Sequence, residues 1–229
     1  MLTRANFLGC ALFSAAVLPT STAYAQAYLP EFVLDGARRT LADLPRPGDK
    51  AFLNAQRLLR PARAVMVVPY LRKGHFLGLG EGGFGVVMVR GRNGWSDPAF
   101  YTIASASFGL QAAMVRELIL LVMTDNGVKG LLNDNFKLGA QAGINVAVLG
   151  SGMDGALRGP TPPDVVAWSS SSERLPGGLT FDGSEIRSRP TSDTEYYGRA
   201  VSHSDIFNGR VYRPGADLLP REMYEWTLG

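Results

Sequence analysis

The amino-acid sequence predicts an α+β fold: a strongly curved, mostly antiparallel, barrel-like sheet, with amphipathic N-terminal helices and a short helix in the middle. Three observations support this prediction. Six or more strand-like segments follow one another without long helices between them, which is typical of antiparallel sheets. Glycines recur at every second position from 78 to 82, which is the period of a strand. Helical spacing of apolar residues dominates only the part of the chain that precedes these strands.

The composition is that of one globular domain. The chain has 229 residues, of which 46% are hydrophobic and 19% are charged, and this is enough for one core. A formal charge of +3 is too small to indicate nucleic-acid binding, which needs a clustered basic face. With only two histidines in the chain, the sequence predicts no metal site, and we expect no cofactor.

The first 25 residues are predicted to be a signal peptide. Arg4 gives a positive start, Phe7–Leu18 form an apolar run, and an A-x-A site ends at Ala25. Cys10 lies before the apolar run, which is the wrong order for a lipoprotein signal. Cleavage after Ala25 predicts a cysteine-free periplasmic or secreted protein, with one domain over residues 26–229.

Two basic helices are predicted next. Between Glu31 and Leu44, apolar residues recur at spacings of three and four, and a second such segment ends at Leu59 after a proline-containing break. Four arginines belong to these helices: Arg38, Arg39, Arg57 and Arg60. Two interpretations remain open, since the helices can cover a sheet or present a basic face to anionic lipid.

The segment from Ala64 to Arg90 is predicted to be a tightly packed pair of strands. Two apolar runs enclose glycines 78, 80, 82, 83 and 85, and bare positions on a strand allow another backbone to approach closely. The same glycines match GxGxxG and the kinase pattern GxGxxGxV. A dinucleotide loop needs a helix after it, whereas residues 84–90 have the pattern of a strand, and the other kinase motifs are absent from the sequence.

The remaining elements follow from the same periodicities. Residues 114–123 are nearly all apolar and fit a buried strand or a short helix, and the Thr124-Asp125 cap signal after them favours a strand. The predicted elements, in order, are a turn at 91–94, strands at 100–107 and 114–123, a helix at 126–132, strands at 138–150, 164–170 and 179–187, and short helices at 194–199 and 205–209.

The sequence predicts a protein that is not an enzyme, with no catalytic residue assigned. The GxSxG motif of a serine hydrolase does not occur. Four carboxylates have the chemistry for acid/base work, namely Glu117, Asp125, Asp182 and Glu185. Solvated charges at strand edges are the simpler interpretation of these residues.

Several motifs in order resemble the SYLF domain, over about residues 50 to 212. They are the glycine-rich segment 64–90, NGWSDPAF, ASFGLQ, VRELILLVM, FKLGA and GGLTFDGSEI. The resemblance implies phospholipid binding, with phosphoinositides as the eukaryotic ligand and actin filaments as a further fungal partner. It implies no enzymatic activity. Actin is not an expected partner here, because the predicted signal peptide directs the chain out of the cytoplasm.

In this family the lipid contact is attributed to a basic amphipathic N-terminal helix, which corresponds here to the region of the four arginines. A loop at 70–76 has an aromatic and basic composition suited to a lipid headgroup, through Tyr70, Arg72, Lys73, His75 and Phe76, although a solvated turn explains it equally well. We therefore expect an exported phospholipid-binding protein whose partner is an anionic membrane. The alternative is a cell-envelope module that binds a protein partner, with lipid incidental.

Overall fold

The computed structural model describes residues 29–43, 57–76, 79–106, 117–133, 136–149, 163–169, 180–214, 219–221 and 223–224. The strands in these ranges are β1 (Ala64–Phe76), β2 (Leu79–Gly91), β3 (Gly94–Trp95), β4 (Ala99–Ser105), β5 (Leu118–Val122), β6 (Phe136–Lys137), β7 (Val146–Val148), β8 (Val165–Trp168) and β9 (Glu185–Ser188). The helices are α1 (Pro30–Asp43), α2 (Asp125–Leu132), α3 (Pro190–Tyr197) and α4 (His203–Phe207), with a 3-10 helix at Ala140–Ala142.

The strands form one strongly curled sheet with the shape of a half-barrel. Its strand order is β6-β9-β4-β2-β1-β5-β8-β7, and β3 pairs with β2 beside this path. Neighbours are antiparallel except for β7 and β8, which run parallel. The predicted α+β class and mostly antiparallel sheet are confirmed.

The glycines of the hairpin make room for the backbone of β1. A Cβ at Gly85 would lie 2.6 Å from the Val67 carbonyl oxygen, and one at Gly83 would lie 2.5 Å from the Tyr70 carbonyl oxygen. Between these contacts β1 gains one residue over β2, and Pro69 lies in the resulting bulge, where a ladder hydrogen bond is not required. The predicted close strand pair is confirmed. The sequence already disfavours a phosphate loop here, and Gly80, Gly82, Gly83 and Gly85 belong to strand β2, whereas Gly78 lies outside the described residues.

Both faces of the sheet are buried. One face packs under α2 and α4, in a core that includes Leu131, Ile206 and Phe207. The other face, which we call the α1 face, carries alternate residues such as Val65 and Val67 and packs under α1, the segment 57–62, Tyr196 of α3 and two residues near the C-terminus. A layer of helices therefore covers each side of the curved sheet.

Two predicted elements are wrong. The predicted strand at 138–150 is interrupted by a tight turn, because Gly139 and Gly143 have φ angles of +113° and +71°, which extended backbone does not adopt. The predicted loop at 70–76 is instead the second half of β1. Its pairing with β2 runs from Tyr70 to Lys73 and resumes at Phe76 after a register shift, so the segment is a strand and not a loop.

Other predicted elements are confirmed with shifted ends. The apolar segment before Thr124 is strand β5, and α2 begins after this residue, whose hydroxyl accepts a hydrogen bond from the Gly127 amide. Strand β9 begins at Glu185 and not at 179, because residues before it form a turn in which Gly183 has a φ of +74°. Helix α3 begins earlier than predicted because Pro190 is favoured in the first helical turn.

A buried carboxylate joins three elements. Asp193 of α3 has no exposed surface, and one of its oxygens accepts a hydrogen bond of 2.8 Å from the Phe100 amide of β4. Its other oxygen lies 2.8 Å from His203 Nε2 at the start of α4. Because a buried acceptor must be matched by donors, these contacts fix α3 and α4 to the start of β4.

Candidate functional site

Helix α1 is docked on the sheet through its apolar side. Val33, Ala37 and Leu41 lie on one stripe at intervals of four residues, and each is at most 2% exposed. A Cβ at Gly36 would lie only 2.9 Å from the Pro69 ring, so the helix axis comes very close to β1. The prediction that this helix covers a sheet is confirmed, and its apolar stripe is used for that purpose.

The opposite side of α1 is open and basic. Arg39 is exposed, and its Nε donates a hydrogen bond of 3.3 Å to the Asp35 carbonyl oxygen. Arg38 is half-buried on the same side. Together with Ala42 these residues line a shallow surface depression of about 330 Å³. The two predicted arginines of this helix therefore border one accessible surface.

An apolar corner lies where the first turn of α1 meets β1. We use this name for Leu29, Phe32 and Tyr70. The Phe32 and Tyr70 rings are 5.5 Å apart with an angle of 31° between their planes. Leu29 is 43% exposed and Tyr70 is 39% exposed, and Leu29 lies directly before the helix. The corner is therefore a small group of solvent-facing apolar side chains held on two rigid elements.

Arginines flank this corner on the sheet side. Arg72 follows Tyr70 by two residues and so lies on the same face of β1, where it is half-buried. A crevice of about 10 Å³ between α1 and the hairpin is lined by both residues and by Phe84. The Arg189 guanidinium lies over the Phe84 ring, 4.3 Å from its centre. Cations and aromatic rings thus alternate along this part of the α1 face.

The second basic segment lies beyond the other end of α1. Residues 57–59 are helical, Arg57 and Arg60 are exposed, and Leu59 shares a small apolar cavity with Leu41 of α1. Arg90 of β2 holds this segment, because its guanidinium donates hydrogen bonds to the carbonyl oxygens of Leu59 (2.8 Å) and Ala62 (3.0 Å). Burial lowers the pKa of Arg90 from its ordinary value.

The family is settled by the second half of the chain. The family model described as Ysc84, "Las17-binding protein actin regulator", matches residues 104–224, which is more than half of the chain. The chain belongs to the Ysc84 family. This confirms the resemblance to the SYLF domain. The family is one of binding and adaptor domains.

A curated relative supports the Ysc84 assignment. The chain is 25% identical over 160 residues to "SH3 domain-containing YSC84-like protein 1" of Bos taurus. The alignment covers 69% of this chain and 46% of the relative, so the chain spans about half of the length of that protein. In the described part of this Ysc84-family chain, we find no helix with the length and hydropathy needed to cross a bilayer.

The structure of this Ysc84-family chain places six of the nine predicted lipid-binding residues on one layer. Helix α1 carries Arg38 and Arg39, Tyr70 and Arg72 lie beside it on β1, and Arg57 and Arg60 lie past its C-terminal end. Lys73, His75 and Phe76 are on β1, and their side chains fall outside the described residues, as does the remainder of the predicted second helix. Their role in binding stays a prediction.

The sequence missed Leu29 and Phe32 as site residues. The sequence contains a pattern that could have identified Phe32 as a site residue. Phe32 is a large apolar residue one position off the stripe formed by Val33, Ala37 and Leu41. An apolar residue beside such a stripe points to the flank of the helix and not into the core. Phe32 contacts the Tyr70 ring, however, and Tyr70 is distant from it in the sequence.

The four carboxylates with acid/base chemistry lie in different environments and have different partners. Asp125 is exposed and pairs with Arg63 at 2.7 Å. Glu185 pairs with Arg187 at the same distance. Asp182 is exposed in the turn before β9, and Glu117 is half-buried just before β5. An ion pair or solvent therefore accounts for three of these side chains without a catalytic role.

Proposed function

We propose that this Ysc84-family protein is an exported, non-enzymatic phospholipid-binding protein that acts peripherally at an anionic membrane surface. One observation carries the proposal: α1 is docked by its apolar stripe, and its opposite side carries the exposed Arg39 and the half-buried Arg38 on the same layer as Arg57 and Arg60. A rigid basic layer of this kind can bind an anionic membrane surface while α1 stays folded and docked on the sheet.

The expected strength of such binding follows from the number of cations. A basic residue near an anionic bilayer contributes about 1 kcal/mol, so four contribute about 4 kcal/mol. This corresponds to an affinity gain of about a thousandfold over a surface without charge. The attraction is screened by salt, because three of the four arginines are exposed and the Debye length shortens as the ionic strength rises.

Sedimentation with vesicles tests this proposal. We expect the purified protein to sediment with vesicles that contain phosphatidylglycerol or cardiolipin, and much less with phosphatidylcholine alone. Replacing Arg38, Arg39, Arg57 and Arg60 by glutamate is expected to abolish sedimentation. A matched control replaces four exposed arginines elsewhere by glutamate, so that both variants have the same net charge. These are Arg92, Arg199, Arg210 and Arg221. Equal loss in both variants would show that net charge alone, and not this layer, causes binding.

A protein partner is the second candidate function. The family description names a Las17-binding regulator, and the matched region contains two exposed aromatic residues, Tyr212 (66%) and Tyr224 (53%). An apolar protein interface formed there is expected to persist at high ionic strength, whereas the basic layer is expected to release its ligand. Capture of a partner from the cell envelope that survives high salt and is lost in Tyr212→Ser and Tyr224→Ser would favour this candidate.

A further inference from the structure

The docked state of α1 raises the question of which side chains enter the bilayer. An amphipathic helix at a membrane normally buries its apolar side among the lipids. Here that side is at most 2% exposed at Val33, Ala37 and Leu41, because it packs on the sheet. Lipid contact through this helix must therefore use other residues, or the helix must leave the sheet.

We propose that the apolar corner formed by Leu29, Phe32 and Tyr70 inserts into the interfacial region of an anionic bilayer while α1 stays docked. The inference rests on the proposed lipid-binding function and names the part of the protein that penetrates. The occupant of the corner is the boundary between headgroups and acyl chains, and not a protein segment.

The composition of the corner fits this boundary. Tyrosine is enriched at membrane interfaces, because its ring is apolar and its hydroxyl remains in contact with water. Tyr70 and Leu29 are about two-fifths exposed, and the half-buried Phe32 lies between helix and strand in contact with the tyrosine ring. Inserting them removes apolar surface from water without breaking any packing contact of the core.

The charges around the corner complement anionic lipid. Arg39 lies seven residues after Phe32, nearly two helical turns, and so projects from the same flank of α1. Arg72 follows Tyr70 on β1. The carboxylates on this part of α1 are Glu31 and Asp35, and Glu31 is 3.3 Å from the Arg213 guanidinium. With Glu31 paired to Arg213, Arg39 and Arg72 outnumber the one remaining carboxylate, Asp35, around the uncharged corner.

The docked geometry holds the corner in place before it meets a membrane. Gly36 allows the helix to approach Pro69 and Tyr70 at a distance that any side chain would prevent. Arg213, which pairs with Glu31 of α1, is itself held in place. Its amide donates a hydrogen bond of 3.3 Å to Asp97, and its guanidinium lies 4.1 Å from the Tyr196 ring centre. A preorganised tip loses little conformational entropy on insertion.

Single-cysteine labelling tests the site of insertion. The one cysteine of the chain, Cys10, lies in the predicted signal peptide, and Cys10→Ser removes it from uncleaved protein as well, so an environment-sensitive dye marks only the introduced cysteine. With the dye at Leu29→Cys, phosphatidylglycerol vesicles are expected to cause a blue shift and a rise in fluorescence. With the dye at Leu132→Cys, which is 47% exposed on α2, no change is expected. Sedimentation without a change at position 29 overturns the inference and leaves the proposed function intact, whereas absence of sedimentation overturns both.

Thiol protection tests whether the helix stays docked. Val33→Cys is close in size to the native side chain and lies on the buried stripe. We expect its reaction with a soluble thiol reagent to remain slow when vesicles are added. Rapid reaction on vesicle binding would show that α1 leaves the sheet, and would overturn the inference.

Vesicle affinity provides an independent measure. At an intermediate ionic strength, where binding of the unchanged protein is still measurable, Leu29→Asp is expected to lower vesicle affinity about tenfold, because a partly exposed leucine loses its transfer free energy. Leu132→Asp is the matched control and is expected to leave affinity unchanged. Equal affinities of the two variants would contradict insertion at the corner.

Discussion

The close approach of α1 to the sheet predicts a large effect from one small substitution, Gly36→Val. The Cβ of any side chain here would lie 2.9 Å from Pro69 Cβ, Pro69 Cγ and Tyr70 Cε2, whereas ordinary contacts are 3.4–4 Å. The proline ring cannot rotate away, because it is part of the bulge in β1. Overpacking of this kind costs about 1–3 kcal/mol, and valine adds two methyl groups beyond the Cβ.

The helix propensity of valine opposes this cost only weakly. Valine is better than glycine in a helix by about 0.4 kcal/mol, so an overpacking cost at the upper end of this range, which the two added methyl groups favour, leaves a net loss of about 2.6 kcal/mol. With a urea m-value of about 2.5 kcal/mol/M, the unfolding midpoint is expected to fall by about 1 M. The matched control is Ala42→Val on the exposed side of the same helix, where the loss is about 0.6 kcal/mol from propensity alone.

Urea unfolding followed by circular dichroism measures both variants. If Gly36→Val and Ala42→Val have equal midpoints, α1 does not pack on Pro69 as described. The reasoning that assigns the apolar stripe of α1 to the sheet would then fail, and with it the argument that the apolar corner is the inserting element.

Three further predictions concern buried polar groups. Asp193→Ala leaves the buried Phe100 amide without its acceptor and is expected to cost about 3 kcal/mol of unfolding free energy. Asp193→Asn keeps an acceptor oxygen and is expected to cost less. Equal losses of the two variants in thermal melts would contradict this. Burial raises the pKa of Tyr196 to about 12, so its contribution to stability is complete below pH 10 and is lost as the pH rises from 10 to 12; Tyr196→Phe is expected to flatten this decline in denaturant titrations. Arg90→Lys keeps the charge but not the two carbonyl contacts, so hydrogen exchange at 57–62 is expected to accelerate, and unchanged protection would refute the holding role of Arg90.

The elements that sequence reasoning predicted well are those with a strong local period. The stripe of α1 and the apolar run of β5 followed by the Thr124 cap depend on neighbours within a few positions. The sequence predicts both ends of α1 and the C-terminal end of β5 to within one residue. The strand at 138–150 failed because an alternating pattern of small residues does not record φ, and two glycines with positive φ turned the chain. Periodicity reports the spacing of side chains, whereas a glycine turn depends on backbone conformation.

The candidate site was predicted only in part for a different reason. Composition and spacing identify the arginines, and their aromatic and basic surroundings identify Tyr70 and Arg72, although the sequence predicts a loop where the structure has a strand. Phe32 and Leu29 gained their significance only when α1 docked beside β1. The Arg90 contacts to the segment at 57–62 were likewise invisible, because they join residues that are far apart in the chain.

The sequence by itself determined the fold class, the glycine-lined strand pair and the family to which the chain belongs, since these are written in local periods and ordered motifs. Only the tertiary structure decided which side of α1 is free. That choice depends on the fit of Gly36 against a bulged proline, a steric match between distant segments that no local pattern contains. Because the fit uses the apolar stripe, it leaves the arginines and the apolar corner exposed.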